Sequence, residues 1–245
     1  MIPARLGSSR LPRKPLLPLA GEPLILWVIR RVADLGVCSR LVVATDADEI
    51  AAVVQRAGFE AVLTSPSHPS GTERVAEVVA RKEFSGFQFI LNVQGDEPFV
   101  APAAIRGALA CLERGEALGT AAGSLDPTLA ADPNRVKVIV DRRGRAVYFS
   151  RAAIPFDRDR TGAVEYHQHV GVYAYTRDAL ERWLRLPPVP EERWERLEQL
   201  RPLLHGLPIG VTLFDGPPPA PGIDTPADFA WAEAEVTRQL KEVSP

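Results

Sequence analysis

The feature that most constrains this chain is the alternation of strand-like and helix-like segments over its first 125 residues. Short apolar runs at residues 40–45 and 87–93 predict buried strands, and each precedes a segment with apolar residues at helical spacing. Four such repeats are typical of a parallel sheet with helices on both faces. We therefore predict an α/β, Rossmann-like fold, whose ligand sites lie at the carboxyl ends of the strands.

The amino-terminal segment, residues 1–16, carries a cluster of cations in a loop between a predicted strand and a helix predicted at residues 21–33. Small residues let a backbone approach a ligand closely, and arginine and lysine side chains suit phosphate oxygens. The composition fits a loop that binds a polyanion and also a loop that is merely basic and solvated. The cations are Arg5, Arg10, Arg13 and Lys14.

Composition limits the classes of partner. The 245 residues carry a net charge of −2, so the chain has no bulk positive field for nucleic acid and any anion site is local. No apolar run approaches the roughly 18 residues of a membrane helix, and no signal peptide is recognisable, so we expect a cytoplasmic protein. The two cysteines, Cys38 and Cys111, match no metal or redox spacing.

The pattern changes after Pro127. A hairpin is predicted at residues 136–149, an antiparallel strand at 167–176, and helices at 177–186 and 191–205. We expect a nucleotide-binding core at residues 1–127 and 206–245 and a smaller α+β lobe at 128–205. A last helix opens near Pro226, with Asp224 or Thr225 as its N-cap.

Two aspartates are candidate metal ligands. Asp96 directly follows a predicted buried strand, and Asp224 lies in the turn before the last helix. Mg²⁺ prefers one or two protein carboxylates together with phosphate oxygens. Each aspartate also fits a plain helix-capping role, and the pair makes a metal site only if the fold brings them together.

Other polar residues have two interpretations each. Ser70 and Thr72 fit either a nucleoside contact or a helix cap. His169 and Tyr173 share one face of a strand and fit either a pocket floor or a core. Further candidates either bind an acidic substrate or belong to a solvated surface: Glu198 and Gln199 on a predicted helix, and Arg151, Arg158 and Arg160 beside Asp157 and Asp159.

Ten collinear segments spread over the chain resemble the cytidylyltransferases that activate 3-deoxy-D-manno-octulosonate (Kdo), the CMP-Kdo synthetases. They include IPAR and SRLP with KPL near the amino terminus, VATD, SGTER, NVQGDEP, NRVKV, FSRA with IP, DRDR, HVGVY, LEQLR and GIDTP. The resemblance implies a sheet of the nucleotide-diphospho-sugar transferase type, a homodimer, and formation of CMP-Kdo and pyrophosphate from CTP and Kdo with Mg²⁺.

The resemblance also implies roles for individual residues. Arg10 and Lys14, with Arg5 beside them, would hold the triphosphate, and Asp96 and Asp224 would bind Mg²⁺. Arg10, Lys14 and Asp96 would be catalytic. Cytidine would be surrounded by Ala4, Ser70, Arg74 and Gln94. The acidic sugar would be held by Arg151, Arg158, His169, Tyr173, Glu198 and Gln199.

The implied reaction is a direct in-line attack of the sugar hydroxyl on the α-phosphorus of CTP, with no nucleophilic side chain. Two other classes remain as alternatives. One is a CMP-sialic acid synthetase or related sugar nucleotidyltransferase. The other is a non-catalytic nucleotide-binding protein, which would be expected to have lost the charged residues at the mouth of the sheet.

Overall fold

The computed structural model describes residues 1–7, 10–218 and 222–243, and for 240–243 only the backbone. Ser8 and Ser9 of the basic loop lie outside the described residues. The chain forms two compact units. The first comprises the described residues of Met1–Lys82, Asn92–Val100 and Gly222–Pro245, and the second those of Glu83–Leu91 and Ala101–Pro221.

The first unit contains a three-stranded parallel sheet in the order β1-β4-β5 and a short β2–β3 hairpin. All four residues of β4 are buried, as expected for a parallel sheet covered on both faces. The strands are β1 (Ile2–Ala4), β2 (Pro18–Leu19), β3 (Glu22–Pro23), β4 (Val42–Thr45) and β5 (Glu60–Leu63). The helices are α1 (Leu24–Ala33), α2 (Asp48–Arg56), α3 (Gly71–Val79) and α8 (Pro226–Val243).

An apolar cluster in the first unit fixes the basic loop to the last helix. Leu11 and Leu19, which flank the loop's last turn, pack in one core with Ile223 and with Ala232 and Val236 of α8. Burying a large aliphatic side chain contributes about 1.5–3 kcal/mol. The carboxy-terminal segment is therefore held close to the loop by its core residues.

The second unit is built on a mixed sheet in the order β11-β7-β10-β8-β9, with β6 also paired to β10. Helix α4 packs on β7, β10 and β11. The strands are β6 (Phe89–Val93), whose last two residues belong to the first unit, β7 (Leu118–Leu125), β8 (Lys137–Val140), β9 (Ala146–Ser150), β10 (Tyr166–Thr176) and β11 (Gly210–Phe214). The helices are α4 (Pro102–Glu113), α5 (Arg177–Arg185), α6 (Pro190–Glu195) and α7 (Leu200–Leu204).

Glycine allows α4 to lie close to this sheet. A Cβ on Gly119 of β7 would lie 2.4 Å from the carbonyl oxygen of Ala108 and 2.5 Å from Cβ of Cys111, both in α4. A side chain at position 119 would therefore push the helix away from the strand.

The predicted α/β class is confirmed, and so is the hairpin, since β8 and β9 pair antiparallel around a turn at Gly144. The single helix predicted at residues 191–205 is wrong. The chain leaves α6 at Arg196, whose φ of 53° is left-handed, and α7 begins only at Leu200. Glu198 and Gln199 therefore lie in a turn between two short helices.

The two units differ in extent from the sequence-based domains. The core expected at 1–127 and 206–245 and the lobe at 128–205 assigned β7 and β11 to the core. In the structure both strands belong to the sheet that contains β10, because β7 pairs with β10 and β11 pairs with β7. The functional domain boundaries therefore stay a prediction. Among the described residues, no helix has the length and apolarity needed to span a bilayer.

Candidate active site

Four charged side chains of the first unit form a network of hydrogen-bonded ion pairs. Lys14 Nζ donates to Asp96 Oδ2 at 2.6 Å and to Asp224 Oδ1 at 2.9 Å. Arg10 Nη2 donates to the other oxygen of Asp224, Oδ2, at 2.7 Å. We call Arg10, Lys14, Asp96 and Asp224 the charged cluster. Because Lys14 contacts both aspartates, the fold brings Asp96 and Asp224 together, which is the condition that the metal hypothesis set.

Lys14 is the most shielded member, with 12% of its side chain exposed against 29% for Asp96 and 43% for Asp224. Burial alone would lower the pKa of Lys14, but the Asp96 and Asp224 carboxylates outweigh it and raise the pKa above its usual value. Lys14 is therefore a fixed positive charge throughout the physiological pH range.

A close backbone approach places Asp96. A Cβ on Gly95 would lie 2.6 Å from the carbonyl oxygen of Pro3, so the turn after β6 lies directly against β1. Ile223 N–H then donates to the Asp96 carbonyl at 2.9 Å. A Cβ on Gly222 would meet the Asp96 carboxylate at 3.3 Å. Two glycines and one backbone hydrogen bond therefore bring the two aspartates together.

Asp224 is not the N-cap of α8. Asp228 N–H donates to Thr225 Oγ1 at 3.2 Å, and the Asp228 carboxylate accepts from the backbone N–H groups of Asp224 and Thr225. Thr225 and Asp228 thus form a reciprocal cap of the capping-box kind. The Asp224 carboxylate is left to the charged cluster, which resolves the alternative that the sequence left open.

A third carboxyl group lies beside the cluster. Burial, with smaller contributions from the Asp96 and Asp224 carboxylates, raises the pKa of Glu97 to about 8, although Lys14 opposes the shift. Glu97 is therefore largely protonated at neutral pH and adds little negative charge beside Asp96 and Asp224. Sequence reasoning missed Glu97 as a site residue, since the residue next to Asp96 had no separate signal.

The cluster's donors match what Mg²⁺ takes from proteins. Two carboxylates converge on one cationic atom, and carboxylate oxygens are hard ligands suited to Mg²⁺. No group of three or more His, Cys, Asp or Glu side chains in the described part of the chain is arranged to hold a metal ion. A divalent ion at this place would thus need further oxygens, such as those of a phosphate.

The residues expected to surround cytidine lie beside β1. Ala4 is buried at the end of β1, and Arg5 is exposed. A Cβ on Gly71 would lie 3.1 Å from Pro3 Cγ and 3.3 Å from Gln94 Oε1. Three parts of the first unit therefore lie close together: the start of α3, the end of β1 and Gln94.

Ser70 and Arg74 already have partners within the protein. Ser70 Oγ accepts from Glu73 N–H at 3.2 Å and caps α3, as the capping interpretation predicted. Arg74 is 2% exposed, and its guanidinium donates to Asp46 Oδ2 at 2.8 Å and to Thr64 Oγ1 at 2.5 Å. These contacts favour structural roles, so a contact of Arg74 with a nucleotide stays a prediction.

His169 and Tyr173 lie in an aromatic core of the second unit. His169 packs edge-on against Phe149 at 4.9 Å between ring centroids and lies 5.4 Å from Tyr173. Its Nε2 is 2.9 Å from Thr120 Oγ1. Burial lowers the pKa of His169 to about 3, so the imidazole is neutral at pH 7. It can donate a hydrogen bond there but cannot neutralise a substrate carboxylate.

The arginines expected at the sugar differ from one another. The Arg151 guanidinium donates to the backbone carbonyls of Glu195 at 2.6 Å and Pro133 at 2.7 Å. Arg158 lies in an exposed turn, and Gln199 is buried at the start of α7. The structure describes these residues within one unit, and their roles toward a sugar stay predictions.

Lys137 and Glu195 organise this part of the second unit, and neither was predicted from the sequence to have a role. Lys137 is fully buried, and its Nζ donates to the carbonyls of Asp132 at 2.9 Å, Arg135 at 2.5 Å and Arg151 at 2.6 Å. The Glu195 carboxylate accepts from Ser150 Oγ and Arg151 N–H. A lysine between two valines in a strand was the available signal for Lys137.

The fold is shared with nucleotidyltransferases. A glucose-1-phosphate thymidylyltransferase from Bacillus anthracis, described as putative and solved with sucrose, superposes with a TM-score of 0.64 at 16% identity, covering 96% of this chain and 93% of that one. A likeness at this identity concerns the fold alone. It places the chain in the structural class that the sequence predicted.

Closer relatives define the family. The cytidylyltransferase family model matches residues 1–209. A 3-deoxy-manno-octulosonate cytidylyltransferase from Gemmatimonas aurantiaca is 52% identical over 95% of this chain and 91% of its own length, and one from Methylococcus capsulatus is 46% identical over 97% and 96%. A CMP:2-keto-3-deoxy-manno-octonic acid synthetase solved with CTP superposes with a TM-score of 0.89, at 37% identity and 97% coverage of both chains. The chain therefore belongs to the 3-deoxy-manno-octulosonate cytidylyltransferase family, as the sequence motifs predicted.

Proposed function

We propose that the chain transfers CMP from CTP to Kdo and releases pyrophosphate, which forms CMP-Kdo for lipopolysaccharide biosynthesis. The observation that carries the proposal is the charged cluster, in which Lys14 lies between Asp96 and Asp224 in a chain 52% identical to a 3-deoxy-manno-octulosonate cytidylyltransferase. Cations and paired carboxylates at one place are the groups that nucleotidyl transfer requires.

The reaction is a single displacement. The anomeric hydroxyl oxygen of the sugar bonds to the α-phosphorus, the bond from that phosphorus to the bridging oxygen breaks, and pyrophosphate leaves with its electron pair. The hydroxyl proton passes to solvent. No covalent enzyme intermediate is required, so the protein contributes positioning and charge neutralisation.

Arg10 and Lys14 hold the triphosphate and oppose the negative charge that develops on the departing pyrophosphate, and Arg5 is placed beside them. Lys14 is well suited because it carries its charge at any physiological pH. Asp96 and Asp224 hold Mg²⁺, which when bound neutralises phosphate charge and polarises the α-phosphate. Ala4, Ser70, Arg74 and Gln94 border the cytidine.

The acidic sugar binds to the second unit through Arg151, Arg158, His169, Tyr173, Glu198 and Gln199. Within this set we assign the sugar carboxylate to Arg158, because its side chain is exposed whereas the Arg151 guanidinium already donates to backbone carbonyls. His169 acts as a neutral hydrogen-bonding group. We further propose that the protein is a cytoplasmic homodimer.

The test is pyrophosphate release in the presence of Mg²⁺. We expect release from CTP when Kdo is present, much slower release with ATP, GTP or UTP, and a product with the mass of CMP-Kdo. Replacing Kdo by N-acetylneuraminate should abolish it. Release that does not depend on Kdo, or that prefers the sialic acid, contradicts the proposal.

A further inference from the structure

The oxygen atoms that the two aspartates offer to a metal ion are already bound to a cation of the protein itself. The Lys14 ammonium has no lone pair and can only donate, and it donates hydrogen bonds to Asp96 Oδ2 and Asp224 Oδ1 at 2.6 and 2.9 Å. Arg10 binds the remaining oxygen of Asp224. Three of the four carboxylate oxygens therefore face a positive group in the structure.

A divalent cation that entered between these aspartates would share their oxygens with the Lys14 ammonium. Two positive charges a few ångströms apart repel each other, most strongly where one of them is shielded from water, as Lys14 is with 12% exposure. In the described part of the chain, no group of three or more His, Cys, Asp or Glu side chains is arranged to hold a metal ion and so to offset this repulsion. The protein alone is thus a poor site for a free divalent ion.

A nucleoside triphosphate would reduce the repulsion between Lys14 and the metal ion and would also supply the missing ligands. Its phosphates attract the Lys14 ammonium away from the aspartates, and they supply the oxygen ligands that the protein lacks. A lysine on a flexible four-carbon stem can make this exchange by changing rotamers, whereas the backbone of Asp96 is fixed by Ile223 N–H.

We propose that Lys14 is an internal counter-ion that keeps divalent cations off Asp96 and Asp224 until a triphosphate draws its ammonium away, so that the protein takes up the metal together with the nucleotide and not before it. The proposal rests on the proposed function for the identity of the nucleotide. Its core, competition between Lys14 and a metal ion, concerns the protein without ligands.

The experiment measures binding of Mn²⁺ alone, as MnCl₂, to the full chain without nucleotide, by the loss of the free-ion EPR signal. Lys14→Met keeps the aliphatic stem and removes the charge. We expect this variant to bind Mn²⁺ at least tenfold more tightly than the unmodified protein. Equal or weaker binding by Lys14→Met overturns the proposal.

Two controls separate local competition from net charge. Arg13→Met removes the same charge from a side chain that is paired with Glu49 and not with the aspartates, and it should leave Mn²⁺ binding unchanged. Lys14→Arg keeps the positive charge and should keep binding weak. An equal gain in Arg13→Met would show a general charge effect and contradict the assignment to Lys14.

A second measurement does not need the Lys14→Met variant to fold. The chain has four lysines, so the spectrum of ¹⁵N-labelled lysine ammonium groups is simple, and Lys14→Arg assigns the Lys14 signal. We expect millimolar Mg²⁺ alone to leave this signal in place and CTP with Mg²⁺ to shift it. A shift with millimolar or lower Mg²⁺ alone overturns the proposal.

These outcomes are separable from failure of the proposed function. The Mn²⁺ comparison uses neither CTP nor Kdo, so it can succeed in a protein that transfers no CMP. Conversely, a protein that makes CMP-Kdo but binds Mn²⁺ equally well with and without Lys14 retains the function and loses the counter-ion role.

Discussion

Lys14 and Lys137 are both shielded from solvent and both donate hydrogen bonds to oxygen atoms, but the oxygens differ in kind. Lys14 contacts two carboxylates, and Lys137 contacts three backbone carbonyls. The pKa of Lys14 is raised because the carboxylates outweigh burial, and the pKa of Lys137 is lowered because burial prevails. The first lysine organises charges that a ligand can use, and the second organises backbone.

The comparison teaches how to separate a binding group from a structural group of the same residue type. Carboxylate partners can be exchanged for phosphate or metal at little cost to the fold, since the cluster is partly exposed. Backbone carbonyls have no such substitute, because a buried carbonyl that loses its donor costs free energy. Variants of the two regions should therefore change different properties.

The largest expected effect is on turnover. Asp96→Asn removes a charge from the cluster and keeps the shape of the side chain, so the rate of pyrophosphate release should fall by at least about 100-fold, or about 2.7 kcal/mol of barrier. The unfolding midpoint should barely change. Glu181→Gln, in an exposed pair with Arg185, is the matched control and should retain full activity. A near-normal rate for Asp96→Asn at saturating Mg²⁺ removes Asp96 from the metal site.

The next effect is on stability. Lys137→Met leaves three partly buried carbonyls without their shared donor and should lower the free energy of unfolding by about 3 kcal/mol. Lys14→Met should lower it by less than about 1 kcal/mol, because its partners are partly exposed. Urea unfolding of both variants checks this. A larger loss in Lys14→Met than in Lys137→Met would reverse the distinction between the two lysines.

The buried, neutral His169 should make the stability of the protein depend on pH. Its folded-state pKa of about 3 lies below the unfolded value of 6.5, so the unfolded state binds more protons in between. Stability should therefore be intact above about pH 6.5 and fall with decreasing pH, by about 1.4 kcal/mol per pH unit, until about pH 3.

The measurement is urea unfolding across this pH range for the unmodified protein and for His169→Gln. The variant lacks the titrating ring, so its curve should be shallower by that slope, whatever its stability at pH 7. Parallel curves would mean that His169 is not buried as a neutral group.

The smallest expected change in stability distinguishes Thr225 from its neighbour Asp224. Thr225→Ala removes the N-cap of α8 and should cost about 1 kcal/mol of stability with little change in rate. Asp224→Asn should leave stability nearly unchanged and reduce the rate strongly. If Asp224→Asn instead behaves like Thr225→Ala in both assays, Asp224 has only a capping role.

Sequence reasoning was strongest where local pattern decides structure. The helices that begin at Gly71 and Pro102 and the strand Leu118–Leu125 follow from periodicity and flanking residues, and the structure confirms them. The helix predicted at 191–205 failed because the left-handed conformation of Arg196 is not encoded by an obvious breaker such as glycine. Short helices held by tertiary packing leave little local signal.

The sequence predicted which residues belong to the candidate site, but not which of their side chains contact one another. Motifs identified Lys14, Asp96 and Asp224, yet only the fold shows that one ammonium joins both carboxylates. Whether Asp224 caps α8 depends on Asp228, four residues further on. Roles that depend on burial, such as those of His169 and Lys137, require the packed structure because the sequence does not state what surrounds a side chain.

The most direct test of the central claim is a crystal structure of the protein with CTP and Mg²⁺. We expect the triphosphate to lie against Arg10 and Lys14, with one metal ion held by both Asp96 and Asp224 and the Lys14 ammonium moved from the carboxylates to the phosphates. A nucleotide bound away from these residues, or a metal ion that contacts neither aspartate, would contradict it.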